Sequence, residues 1–529
     1  MQPGIKKSEL SKKVFKLILI STLIRCIIAS SSELGNVEAY YWTFAQHLQW
    51  NYFDHPPIVG WLIRLTTANL QLHSEFFTRA GAIISSAVST WLIFMIGSKI
   101  NNERTGWFAA LLYTSSLYAS LGAGAYILPD SPQLVFWFLS IFLLVKILHS
   151  KQPHSNLTLL WCYWGIATGL CVMCKAHGIF LWLGLILYCL LFDRSWFKCR
   201  GIYLSAIITI VIVSPIIIWN LQNHFASYAF HSHRVSLSDA TIHFERFAKQ
   251  LLKMILITNP VNFFLICICL VVYRKLSVWK KDIQLILCCS LPLILLLLIV
   301  SLFRETYPHW SGPAWSTLLL IPAIRLNMDP GNKVIPNNIK WALAFLLIVG
   351  FSEILITNLY PGTSSEQKEG LNLGKGDLSL DMFGWKYTGG KFDSLYKQDI
   401  IHKLMPPGAP IIVSKWFPAA HIDFYIASLT KQQTIGLGGV FDLHQYYWTN
   451  KCKHPLKSGD SAYYIVPSNL FDYKILDKIN NCFSSYDMPM VVEIFRNGLI
   501  CKHVYVFRLR GYKPGSYKKD SLLDYQHDY

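Results

Sequence analysis

Acids, imidazoles and cations recur in the short polar stretches between the apolar runs of this chain. The first stretch carries Glu38, Tyr40, Tyr41, Asp54 and His55, followed by Pro56-Pro57. The second gives Asp130, between Pro129 and Ser131-Pro132, and the third gives Lys175 and His177 in Cys174-Lys175-Ala176-His177-Gly178. The fourth holds His224, His231, His233 and Arg234, and the fifth holds Arg304, Glu305, His309 and Trp310. An ion near hydrocarbon costs roughly 2.5–3.5 kcal/mol on insertion scales, so these groups should face one another or a wet cavity. Carboxylates and imidazoles can ligate a divalent metal, and lysine and arginine suit an anionic lipid head group.

Each residue also has a plainer reading. Glu38 and Asp54 read as solvated loop acids, and Asp130 as the cap of a following helix. His231-Ser232-His233 puts both imidazoles on one side if extended, which suits a metal, yet such pairs are more often surface residues. Lys175 can snorkel to the interface, and Trp310 and Trp315 fit an aromatic belt. Residue types and spacing alone give a membrane protein with an outward-facing polar site.

The elements that must position these residues are apolar. Of 529 residues, 53% are hydrophobic and 15% charged, against about 25% charged in soluble domains. Apolar runs near 14–30, 78–98, 107–122, 134–149, 159–173, 179–192, 202–219, 250–273, 283–302, 314–326 and 340–358 read as spans. That makes roughly eleven, several shorter than the ~20 residues a spanning helix needs. Residues 14–29 after Lys12-Lys13 also fit a signal peptide ending at Ala29-Ser30-Ser31; we read them as an uncleaved first span.

The net charge of +18 does not point to nucleic acid, because Lys and Arg sit in alternate short loops. Those loops hold Lys6, Lys7, Lys12 and Lys13; Lys99 and Arg104; Lys151; Arg194, Lys198 and Arg200; Arg274, Lys275, Lys280 and Lys281; and Arg325, Lys333 and Lys340. The positive-inside rule places them in the cytoplasm, and an odd number of spans puts everything after residue 360 outside.

Within the first outer loop, Tyr40, Phe44 and Leu48 recur at helical spacing, which predicts a helix lying in the interface plane, with a second over Ile58 to Leu72. We divide the chain into a membrane domain 1–359, an outer α/β domain 360–510 and a polar tail 511–529. The outer domain opens on the turn-rich Pro361-Gly362-Thr363-Ser364-Ser365. Extended runs are expected at Ala409–Trp416, Asp423–Ala427 and Ala462–Pro467, and a hairpin over Val491–Arg496 and Leu499–Leu509 around Asn497-Gly498. Ten of the thirteen cysteines precede residue 300, mostly in apolar runs; Cys452 and Cys482 could pair if their domain is extracytoplasmic.

Glu38-Ala39-Tyr40-Tyr41-Trp42 followed by Tyr52-Phe53-Asp54-His55-Pro56-Pro57 resembles the first outer loop of bacterial glycosyltransferases of the protein-O-mannosyltransferase type. That group lies in the GT-C superfamily and includes the lipid A aminoarabinose transferases. Leu128-Pro129-Asp130, residues 175–178, residues 219–234 and Pro308-His309-Trp310 resemble its later landmarks. Trp416-Phe417-Pro418-Ala419-Ala420-His421 and Asp442-Leu443-His444-Gln445-Tyr446-Tyr447-Trp448 resemble the terminal domain of a bacterial subgroup.

The resemblance implies a polytopic α-helical membrane protein of GT-C type with a C-terminal extracytoplasmic α/β domain, in a bacterial inner membrane. It implies transfer of a sugar from a polyprenyl-phosphate carrier to a lipid, glycan or protein acceptor, with inversion and a divalent metal. Asp54 matches the family's metal-binding loop acid, with His231 or His233 as partner. Lys175, Arg234 and Arg304 are candidates for the donor phosphate, and Tyr40, Tyr41, His55 and His309 for sugar or acceptor.

The family usually has an Asp-Glu pair where this chain has Val37-Glu38, and valine cannot take a proton. Three readings follow: Glu38 is the base, Asp130 is the base, or the protein is an impaired relative that binds lipid-linked sugar. A lipid-linked glycan transporter is the alternative from another class. It should carry mid-membrane ions on broken, repeated helices, whereas here the ions cluster at one face and no repeat is visible.

Overall fold

Long apolar helices dominate the first two-thirds of the chain. The computed structural model describes residues 7–150, 157–235, 241–272, 280–328 and 333–515. Lys6, Lys151, Arg274, Lys275, the side chains of Lys7 and His233, and the tail beyond residue 515 lie outside the described residues. The chain divides into two units: Met1–Ala29 with His55–Gly350, and Ser30–Asp54 with Phe351–Tyr529. The first outer loop therefore parts after Asp54. Its N-terminal section groups with the C-terminal domain, and the division between the units falls inside the helix Asn337–Leu359.

In the first unit, five described helices are long and apolar enough to cross a membrane: Glu75–Ile100, Asp130–Leu148, Arg200–Gln222, Lys280–Ser301 and Asn337–Leu359, whose end runs into the second unit. The bent pair Phe244–Thr258 and Pro260–Val271 would make a sixth. The expected eleven are not reached by this measure. The runs at 107–122, 159–173, 179–192 and 314–326 fold mainly as the shorter helices Glu103–Ser115, Thr158–Cys174, Phe180–Leu191, Gly312–Leu318 and Leu320–Met328.

Two of the long helices expose most of their apolar side chains: only 22% of the apolar stretch of Arg200–Gln222 is buried and 17% of that of Asn337–Leu359. Ile207, Ile210, Val211, Leu347 and Ile348 stand open. Contiguous apolar surface of this extent needs lipid rather than water around it. The molecule is a membrane protein.

The bent pair turns by 103° at Asn259-Pro260. Pro260 has no N–H to continue a helix, and Asn259 adopts φ +83°. The Asn259 side chain repairs the break. Its oxygen accepts from the Val261 N–H, and its amide donates to the carbonyls of Ser115 and Ala342, 2.8 Å from each.

The second unit is built on six strands: β1 (Ile411–Val413), β2 (Thr434–Gly436), β3 (Ala462–Pro467), β4 (Phe483–Tyr486), β5 (Met490–Arg496) and β6 (Leu499–Tyr512). Their order is β2-β1-β3-β6-β4, with β5 also on β6. β1 runs parallel to β2 and β3; β6 is antiparallel to β3, β4 and β5. One face is sealed by Tyr464, Val466, Phe507 and Leu509 against Phe471, Leu476 and Ile479 of the helix Tyr473–Asn480 and its approach.

The hairpin falls where Asn497-Gly498 predicts it, with φ +47° and +81° at those residues, as a tight turn matching the strand twist requires. Asp423–Ala427 does not form the expected strand. It is a π-helical turn, with the Asp423 carboxylate bonded to Thr434 and Tyr446.

The helix Asn36–Gln46 also departs from expectation. Glu38 to Ala45 are all buried within the second unit, and the helix packs against Trp416–Ile422 and Phe424 instead of lying on a bilayer. Aromatics on several faces, Tyr40, Tyr41, Trp42 and Phe44, make it a core helix rather than a one-sided one. The second expected helix forms over Ile58–Thr66. All thirteen cysteines are free thiols, so Cys452 and Cys482 do not pair; the Cys482 thiol donates to the Lys478 carbonyl at 3.3 Å.

Candidate functional site

The chemistry-bearing residues gather in two clusters, one in each unit. In the first unit Asp130 opens the helix Asp130–Leu148 but does not cap it. Its carboxylate turns to Lys175 Nζ, at 3.0 and 2.8 Å from Oδ1 and Oδ2, and Oδ1 also accepts from the Tyr118 hydroxyl at 2.8 Å. Asp130 is 1% exposed and Lys175 3%. Lys175 therefore does not snorkel. The two form a buried ion pair, which is costly to create and costlier to break on one side only. The Tyr118 ring fits because residue 312 is glycine: a Cβ there would overlap that ring.

Around the pair stand two imidazoles. His309 lies on the short helix Pro308–Ser311. Burial, then Lys175, pushes its pKa down to about 4 against the pull of Asp130. His177 is driven well below its ordinary range by burial and then Lys175, and its buried Nδ1 has no hydrogen-bond partner among the described residues. Both rings are thus neutral near pH 7.

Arg234 lies 5.0 to 5.6 Å over the rings of Phe230, Tyr307 and Trp310, and no carboxylate among the described residues pairs with it. Trp310 also packs on His177, at 5.9 Å between ring centres. Trp315 is buried against Phe263, so it serves the core rather than a belt. His231 is half-buried on the helix Ala226–Val235, with its ring 6.4 Å from that of His55. Arg304 is half-buried just beyond the helix Lys280–Ser301.

In the second unit Asp54 is 7% exposed. Its Oδ1 accepts from the Tyr40 hydroxyl at 3.0 Å, and Oδ2 lies 3.3 Å from His444 Nδ1. The Gln445 N–H donates to Tyr40 Oη at 3.0 Å, and Gln445 Oε1 accepts from the Phe53 N–H at 2.9 Å. Burial, then the charge of Asp54, holds the Tyr40 phenol well above its ordinary pKa, so it stays a donor. Trp416 stacks on His444 at 5.5 Å and meets Tyr40 at 5.0 Å. Tyr41 is buried against Tyr40 and Phe44.

Glu38 sits three residues inside its helix, and its Oε2 accepts from the Gly35 N–H at 2.9 Å, which satisfies an N–H that the helix leaves unpaired. Val37 beside it is 39% exposed.

Sequence reasoning missed Tyr118, His444 and Gln445. Tyr118 lies in an apolar run with no polar neighbour to mark it. His444 and Gln445 stand in a stretch already noted for its resemblance, but nothing local ties them to Asp54, 390 residues away for His444. Among the described residues no three His, Cys, Asp or Glu side chains are grouped to hold a metal. Of the expected ligands, Asp54 and His231 fall in different units, and only the backbone of His233 is described.

Comparison with known proteins gives these clusters a context. Residues 54–219 match the family described as dolichyl-phosphate-mannose-protein mannosyltransferase. The lipid A galacturonosyltransferase RgtD of Rhizobium johnstonii is 22% identical over 323 residues, 60% of this chain and 66% of that protein. An undecaprenyl phosphate-alpha-4-amino-4-deoxy-L-arabinose arabinosyl transferase of Pectobacterium atrosepticum is 31% identical over 136 residues, 25% of this chain and 24% of that protein. The alignments thus span just under two thirds of the first relative and about a quarter of the second. ArnT from Cupriavidus metallidurans, solved bound to undecaprenyl phosphate, superposes with a TM-score of 0.61 at 13% identity, over 93% of this chain and 97% of that one. The relatives are named as glycosyltransferases, the chain has the ArnT fold, and the resemblance carried by its first outer loop is to that same GT-C group.

Proposed function

We propose that this protein is an inner-membrane glycosyltransferase that moves a sugar from a polyprenyl-phosphate carrier to an extracytoplasmic acceptor, inverting the anomeric carbon. Arg234 carries the reading: a guanidinium held by three aromatic rings, with no acid on it among the described residues, beside a buried lysine and two neutral imidazoles. A carrier phosphate supplies the missing anion. As the sugar–phosphate bond breaks, charge grows on the leaving phosphate, and fixed cations stabilise it most at that moment. Lys175, already neutralised by Asp130, orients that carboxylate and shares its charge; Arg234 and Arg304 take the phosphate.

The base is Asp130 or Glu38. Asp130 is tied to Lys175 and Tyr118, and Glu38 serves its own helix end. Asp54, with the Tyr40 hydroxyl on one oxygen and His444 beside the other, is the acid read as holding a divalent cation. Tyr40, Tyr41, His55 and His309 remain as sugar or acceptor contacts. A divalent cation at Asp54 belongs to the proposal, but no step is routed through it.

The test is release of undecaprenyl phosphate from sugar-charged carrier by the purified full chain supplied with lipid A as acceptor, the sugar being recovered on the acceptor, with Glu38→Gln, Asp54→Asn, Asp130→Asn and Val37→Asp alongside. Turnover lost in Asp130→Asn and kept in Glu38→Gln assigns the base to Asp130, and the reverse assigns it to Glu38; loss in Asp54→Asn supports the role of Asp54. Turnover absent from the natural chain and present in Val37→Asp makes it an impaired relative. Turnover lost on chelation and restored by magnesium or manganese supports the metal; unchanged turnover removes it.

A further inference from the structure

The parallel strands β1 and β3 are neighbours in the sheet, but the chain leaves their carboxyl ends in opposite directions. From β1 it goes to β2 on one side; from β3 it goes to β4, beyond β6 on the other. Where two such connections part, the carboxyl edge of the sheet is left open, and this is where open α/β sheets hold ligands. A cavity of about 270 Å³ lies there, lined by Ser414, Lys415 and Trp416 following β1, by Phe441 and Asp442 following β2, and by Tyr464 on β3.

Its chemistry is specific. Trp416, Phe417, Phe441 and Tyr464 supply aromatic walls, Val466, Leu470 and Ile475 add aliphatic surface, and a hydroxyl, an ammonium and a carboxylate supply the polar groups. Neither the Lys415 nor the Asp442 side chain makes an ion pair or hydrogen bond to another described residue, so both keep their side-chain bonding capacity for a guest. Few polar groups among apolar walls is the usual make-up of a small-molecule site. The guest that matches it has apolar C–H faces to lie on rings whose π-faces are electron-rich, and an equatorial rim of hydroxyls for the acid and the amine.

We infer that the crevice between the carboxyl ends of β1 and β3 is a saccharide-binding site that takes one or two sugar rings. One wall is Trp416, the same ring that stacks on His444 and touches Tyr40 beside Asp54. A sugar seated there presses on the ring that holds the Asp54 cluster. This deepens the proposed function, and rests on it only in naming the guest as the saccharide part of the acceptor; binding itself does not depend on transfer.

The experiment uses the full chain purified in a detergent without a sugar head group, lauryldimethylamine oxide. N,N′-diacetylchitobiose and cellobiose are titrated while tryptophan fluorescence and saturation-transfer NMR are read, with tetraethylene glycol as a ringless control. Saturable binding of a disaccharide is expected, weakened at least tenfold in Asp442→Ala and in Phe441→Ala. Lys415→Ala, at an exposed position, should weaken binding with its unfolding temperature unchanged. No saturable binding by either disaccharide, equal binding of tetraethylene glycol, or all three variants binding as the natural chain does would overturn the site. Carrier turnover, read separately, keeps the two proposals apart: binding without turnover sinks the transfer reading, and turnover without binding sinks the crevice.

Discussion

Lys175 and Asp130 show what a buried charge demands of its neighbours. Lys175→Met leaves an unpaired carboxylate in the first unit, and loss of one partner of such a pair costs about 3–5 kcal/mol. Thermal unfolding in detergent should show that loss, and Lys175→Met with Asp130→Asn should recover much of it. If the pair serves the donor phosphate, carrier turnover should also fall by about 10²–10³, the usual range for one stabilising donor. His309 gives a pH signature. Burial lowers its pKa from 6.5 to about 4, so between those values the unfolded chain binds more protons than the folded one. Stability should therefore fall as pH drops from 6.5 toward 4, and His309→Gln should flatten that part of the profile. At this scale the sequence was half legible. Asp54, Asp130, Lys175 and His309 were visible because a polar residue in a short loop between apolar runs has few structural uses. Tyr118 and His444 were not, because each acquires its meaning only from a carboxylate that folding brings to it.

Among the elements, the turn Pro308–Ser311 and the helix that begins at Gly312 fix where the Tyr118 ring can lie. Gly312→Ala should displace that ring and weaken its bond to Asp130, at about 1–3 kcal/mol for overpacking. Tyr118→Phe should reproduce the loss of the bond without the crowding, so unfolding of the two variants separates the effects. Gly498→Val should cost about 1–2 kcal/mol, since φ +81° is a conformation a branched residue resists. Pattern reading placed this hairpin, β3 and the helix after Pro57, where period and turn chemistry agree. It failed at Asn36–Gln46 and Asp423–Ala427. A short aromatic-rich segment carries the same composition whether it lies on a membrane, in a sheet or inside a core, and packing decides between them. The helix Asn36–Gln46 is enclosed by residues more than 370 positions further on, Trp416 and Phe424, which no local window contains.

For the molecule as a whole, the membrane character and the class of the terminal domain were open in the sequence, because apolar runs and alternating strands state the solvent each face must meet. The number of crossings was less open, because apolar length is shared between spanning helices and short ones that only pack against them. Binding of carrier phosphate should raise the unfolding temperature, and Arg234→Leu should remove most of that rise while leaving the uncharged baseline intact; an equal rise in the variant would count against the phosphate reading. The cysteines offer a direct measure of sidedness. Twelve of the thirteen thiols are partly or wholly enclosed, while Cys452 alone is exposed. A bulky maleimide unable to permeate lipid would therefore find a single target, with no engineering of the chain. Modification in spheroplasts, abolished by Cys452→Ser, would put the sheet on the far side of the bilayer from the ribosome; modification only after lysis would turn the whole topology over.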